Sequence, residues 1–131
     1  MSSKTEMLSE LLQDLSKASQ GNVQASLIIS KSQGLPICSY FPDGVPKDVL
    51  PDEDTIAGRS TQIDMATRKV FKQLKRGELT RMLVEGETGY VIISNAGDDA
   101  LLAVLTNKKV NLGFLFFVMS RTASRIGKIL D

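Results

Sequence analysis

The sequence predicts an α+β domain in which three helices cover both faces of a five-stranded antiparallel sheet, in the order α-β-β-α-β-β-β-α. Three observations carry that expectation. Apolar residues recur at helical spacing in three stretches, one near each end of the chain and one in the middle. Between these stretches, five short apolar runs are bounded by Gly, Pro, Asn and Asp, as strands are. Two of the runs, 91–93 and 101–105, are apolar at every position, whereas a strand with one wet face alternates. Both sides of the sheet centre therefore need a cover.

The first helix starts at Ser3, which with Glu6 reads as a capping box. Leu8, Leu11, Leu12, Leu15 and Ala18 give it one apolar face, and Gly21 supplies a left-handed stop. Runs 25–30 and 36–41 form a hairpin through Lys31, Ser32, Gln33 and Gly34. Pro36 cannot donate to a ladder, which puts the second strand at a sheet edge. Between Pro42 and Asp54, three prolines, Gly44 and five acids predict an exposed loop. A second helix is expected over 54–76, with Ile56, Ile63, Ala66, Val70 and Leu74 as its core stripe and Gly77 as its stop. Runs 79–85, 90–95 and 100–106 read as an antiparallel meander, turning at Glu87, Thr88, Gly89 and at Ala96, Gly97, Asp98, Asp99. Asn111 caps the last helix, which runs through Leu112, Leu115, Phe116, Met119, Ala123, Ile126 and Leu130.

At 131 residues the chain fits one domain, 1–131, with a core of ordinary size, since 42% of its residues are hydrophobic and 24% charged. Its net charge of +1 supplies no field for nucleic acid or an anionic membrane. The basic stretch of Arg68, Lys69, Lys72, Lys75, Arg76 and Arg81 has only Phe71 among it, so it reads as a solvated or protein-facing surface, with no nucleic-acid partner. No apolar run approaches the roughly 20 residues that span a bilayer, and the N-terminus lacks the layout of a signal peptide, so a cytoplasmic protein without membrane insertion is expected.

The chain contains no histidine, and its one cysteine, Cys38, reads as a small buried hydrophobe in an apolar strand. No catalytic residue and no zinc site are expected, and the chain is not expected to be an enzyme. The acids Asp43, Asp48, Asp52, Glu53 and Asp54 miss the spacing of a calcium loop. Gly86 and Gly89 lie between two strands with no following lysine, which favours a tight hairpin over a phosphate loop. Neither metal nor cofactor is expected.

One surface asks for a partner. At about 100° per residue, the second helix places Gly58, Thr61, Met65, Lys69 and Lys72 opposite the predicted core stripe. Small residues beside a methionine would let another backbone come close, and methionine adapts to irregular surfaces. The third strand follows directly and would add a sheet edge, so two copies could pair edge to edge and helix to helix.

The run Met82-Leu83-Val84-Glu85-Gly86, then Gly89-Tyr90-Val91-Ile92, the stretch from Gly97-Asp98-Asp99-Ala100 through Thr106, and Asn111-Leu112-Gly113 closely resemble the Roadblock (dynein light-chain type) family. The hairpin Gln33-Gly34-Leu35-Pro36-Ile37 fits as well, and the likeness is strongest to prokaryotic, MglB-like members. That resemblance implies a profilin/longin-like sheet of order 2-1-5-4-3, with the second helix on one face and the terminal helices on the other. It also implies a homodimer through the second helix and third strand that acts as an adaptor or regulator for a small Ras-like GTPase. The alternative is a scaffold or light-chain subunit that recruits proteins without sensing nucleotide. MglB-like members act by repositioning the GTPase's own groups, so the resemblance gives no arginine finger to Arg59, Arg68 or Arg81. The expected dimer and partner surface comprises Gly58, Thr61, Gln62, Met65, Arg68, Lys69, Lys72, Thr80, Arg81 and Met82.

Overall fold

Residues 3–131 are described by a computed structural model. Helix α1 (Lys4–Ala18) begins where Ser3 Oγ accepts the Glu6 amide at 3.1 Å, the first half of the expected capping box. It ends through two residues with positive φ, Gln20 and Gly21. Ser19 Oγ then donates to Ser16 O and accepts the Val23 amide, which fixes the angle at which the chain enters the sheet.

Strand β1 (Val23–Ser30) pairs with β2 (Pro36–Tyr40) on one side and with β5 (Ala100–Thr106) on the other. Strand β4 (Tyr90–Asn95) follows β5, and β3 (Arg81–Glu85) closes the far edge. The sheet order is β2-β1-β5-β4-β3 with every pair antiparallel, as the resemblance implies. Pro36 sits on an edge strand, where its missing N–H costs the sheet nothing.

The two faces are covered unequally. Helix α1 and the last helix, α3 (Leu112–Leu130), bury Leu8, Leu12, Leu15, Leu115, Met119 and Ile126 on Ile28, Ile92, Leu102 and Val104. Asn111 caps α3 by accepting the Phe114 amide at 3.0 Å. The opposite face carries α2 (Glu53–Gln73), which buries only Ile56 and Ala57 among its apolar residues, against Ala25, Leu27, Ile29, Ile93, Leu101 and Ala103.

Strand β1 starts at Val23, two residues ahead of the expected 25, and three further details differ from expectation. A short 3-10 turn (Lys47–Val49) interrupts the acidic loop. Helix α2 stops at Gln73, ahead of the predicted 76, because Lys75 already turns to φ 57 before Gly77. Residues 79 and 80 lie outside β3, and the Leu79 carbonyl accepts the Asn95 side-chain amide at 2.8 Å in place of a ladder bond.

The larger correction concerns which way α2 faces. Ile63, Ala66, Val70 and Leu74, expected in the core, are exposed, while Thr61, expected outside, is buried with Ser60 and Asp64. Two of these three polar side chains face the sheet with a partner in hand. Thr61 donates to Ala57 O at 2.8 Å, and Asp64 pairs with Arg68. With the sheet-facing side filled by Ala57, Ser60, Thr61 and Asp64, the apolar stripe lies about a third of a turn away.

Candidate partner-binding surface

The displaced stripe borders a groove. On the α2 face, register aligns Val84 of β3 with Val91 of β4 and Leu105 of β5 into one cross-strand row. Helix α2 leaves this row open, and with Ile56, Ile63 and Pro51 it lines an apolar groove of about 570 Å3. Val70 and Leu74 extend the apolar surface along the helix, at 47% and 59% exposure. Beside the groove runs β3, whose outer backbone edge has no strand partner. An apolar row, an apolar helix flank and an open ladder lie side by side, which is the composition of a surface meant to be covered.

The residues expected from sequence are scattered around this groove. Gln62 lines it and accepts from Arg59 Nη1 at 2.8 Å. Met82 faces α2, where its sulfur accepts from Thr67 Oγ1 at 3.2 Å. Gly58, Met65, Lys69 and Lys72 occupy the other flank of α2, partly or fully exposed. A Cβ added at Gly58 meets nothing within 4 Å, so the chain's own packing does not demand that glycine. Thr80 and Arg81 line a cleft on the α3 side, and the Arg81 guanidinium stacks 4.1 Å from the Phe116 ring centroid. Thr61 lies under the helix, against Gly34.

Arg68 turns inward as a brace. Its Nε donates to Asp64 Oδ2 at 2.7 Å, and its Nη2 donates to Asp64 Oδ1 at 3.2 Å and to Asn95 Oδ1. Since Asn95 also holds the Leu79 carbonyl, this network ties α2 to the entrance of β3. Partial burial, and then the Arg68 charge, push the nearby Lys31 ammonium below its usual range. Asp64→Ala should cost on the order of 2 kcal/mol in a urea titration, less than for a fully buried pair because the Arg68 side chain is 28% exposed.

Sequence reasoning missed Ile63, Val70 and Leu74 as surface residues because it spent their hydrophobicity on the core, and it gave Val84 no role beyond its strand. The signal for finding them was the stretch Ser60, Thr61 and Asp64, polar residues one turn apart beside a rival apolar stripe. Cys38 is half-buried, and burial pushes its thiol up, with Glu53 adding to the shift. At pH 8, Cys38 should therefore react with iodoacetamide more slowly than a cysteine in a flexible peptide, and an equal rate would contradict that environment. Among the described residues no helix is long and apolar enough to cross a membrane.

Comparison with known proteins bears on the whole arrangement. The uncharacterised protein MJ0310 of Methanocaldococcus jannaschii is 29% identical over 120 residues, covering 92% of this chain and 96% of that protein. A solved structure of MglB with a tetrameric arrangement superposes with a TM-score of 0.89 at 22% identity, covering 98% of this chain and 91% of the other. The gliding protein MglB of Thermus thermophilus superposes with a TM-score of 0.88 at 21% identity, covering 98% and 92%. Residues 5–106, most of the chain, match the Roadblock/LC7 domain, and the chain belongs to that family.

Proposed function

We propose that this chain is a non-catalytic, homodimeric adaptor or regulator that binds a small Ras-like GTPase. One observation carries the self-association. Ile63, Val70 and Leu74 on α2 and Val84 on β3 form an apolar seam beside an open strand edge, and a second copy related by a twofold axis would cover both at once. Ladder pairing of β3 with its counterpart would satisfy the free backbone groups, and a second α2 would fill the groove over Val84, Val91 and Leu105.

The flank of α2 bearing Gly58, Met65, Lys69 and Lys72 points away from that seam. In the dimer it is the surface left for the GTPase, with Met65 as its adaptable apolar centre. Family membership and the MglB-like fold support a regulatory role. The test is capture from cytosol on the immobilised chain, in parallel with GTPγS and with GDP. A Ras-like GTPase retained preferentially in one nucleotide state is the expected result. Retention of other proteins without nucleotide preference would replace the regulator with a passive scaffold.

A further inference from the structure

We propose that the cleft between the C-terminal half of α3 and the β3–β4 margin of the sheet binds an acidic peptide segment of a partner protein. The cleft is about 670 Å3 and lies on the face opposite the groove described above. It follows α3 over residues 119–131, roughly 18 Å of helix at 1.5 Å per residue. Its helical wall is small and hydroxylated, with Ser120 and Ser124 exposed one turn apart and Ala123 beneath them. A peptide backbone can therefore come close and still find hydrogen-bonding groups.

The sheet side provides an unmet polar group. Ser94 stands opposite Arg81 in the ladder, shares the α3-facing side of the sheet, and is 9% exposed. Its hydroxyl is buried against the cleft and has no hydrogen-bond partner. A buried hydroxyl without a partner costs stability, and a ligand that drew the Ser94 side chain toward the cleft would remove that cost.

Charge selects the ligand. Arg81 and Lys128 stand on the two walls, and among the described residues neither has an acidic partner. Helix α3 carries Arg121, Arg125 and Lys128 and no acid along its length. Asp131 also lines the cleft, where its carboxylate accepts the Asp98 amide at 3.2 and 3.3 Å, so the cationic side chains of the lining outnumber it two to one. Acidic side chains of the peptide would meet Arg81 and Lys128. The groove is open along its length, which suits an extended polymer better than a small molecule. The site uses only the α3 side of β3 and leaves its backbone edge free, so it does not depend on the proposed dimer.

The test is selection of random 12-residue peptides by display on the full-length chain, followed by affinities of the winning synthetic peptides by fluorescence anisotropy. The expected winners are rich in Asp and Glu, and they bind at least 10-fold more weakly to Arg81→Glu and to Lys128→Glu. Ser124→Trp, which fills the cleft from an exposed position, should abolish binding while leaving the molar mass in solution unchanged. That unchanged mass separates this result from any failure of the dimer. Neutral or basic winners, no winners at all, or acidic winners that bind all three variants as tightly as the parent would overturn the proposal. So would binding of phosphatidylserine vesicles with the same variant dependence in the absence of peptide binding.

Discussion

Leu74→Asp is expected to turn the proposed dimer into monomers without unfolding the chain. In a single copy Leu74 is 59% exposed, so an aspartate there remains hydrated and costs the fold little. In the seam the same carboxylate would be stripped of water against Ile63, Val70 and Val84, where an unpaired charge is heavily penalised. An interface hot spot costs about 2 kcal/mol or more on truncation, and the desolvated charge adds to that, so self-affinity should fall by at least about 30-fold. Sedimentation equilibrium reads this directly, with circular dichroism confirming the fold. Met65→Asp, on the other flank of the helix, should remain dimeric and lose GTPase binding instead. A Leu74→Asp protein that sediments as a dimer with unchanged affinity would remove α2 from the interface.

Gly89→Ala should be the most damaging single-methyl change in the chain. A Cβ at Gly89 would sit 2.2 Å from the Thr106 carbonyl oxygen and 3.4 Å from its carbon. Backbone, unlike a side chain, has no rotamer into which it can retreat. The clash falls where Tyr90 pairs with Thr106 and the β4–β5 ladder begins, so relief means parting the strands. Overpacking of this kind costs about 1–3 kcal/mol and occasionally more, and the upper end is expected here. Gly86→Ala is the control, since its Cβ would lie at an ordinary 3.4 Å from Gly89 O and should cost well under about 1 kcal/mol. Urea midpoints of the two variants should differ accordingly. Equal midpoints would mean that the Gly89 turn relaxes freely.

The sheet was legible in the sequence because its signals are local. The spans 90–95 and 100–106 come out as β4 and β5 without change, since short unbroken apolar runs between Gly and Asp turns admit few other readings. Pro36 named its edge for a steric reason that context cannot override. Helix α2 was legible as a helix and illegible as a surface. Ile63, Val70 and Leu74 mark an apolar side of the helix, and a helical wheel cannot say whether such a side packs on its own sheet or stands exposed. Thr61 and Asp64 look like an outer face until the Ala57 carbonyl and Arg68 are seen to satisfy them. Of the residues expected at the surface, Thr61 failed for that reason. Arg68 became a brace because its partner Asn95 is 27 residues away, beyond any local pattern.

The unequal covering of the sheet bears on how firmly α2 is held. With little of its own apolar surface held by the strands beneath, α2 should be the first segment to lift, and its amides should take up deuterium well before those of α1 and α3. Joining a second copy would then do two things at once, adding contacts and clamping a loosely seated helix. Diluting the protein should therefore loosen α2 as well as separate the chains, so the surface offered to a GTPase would stiffen and soften with subunit concentration.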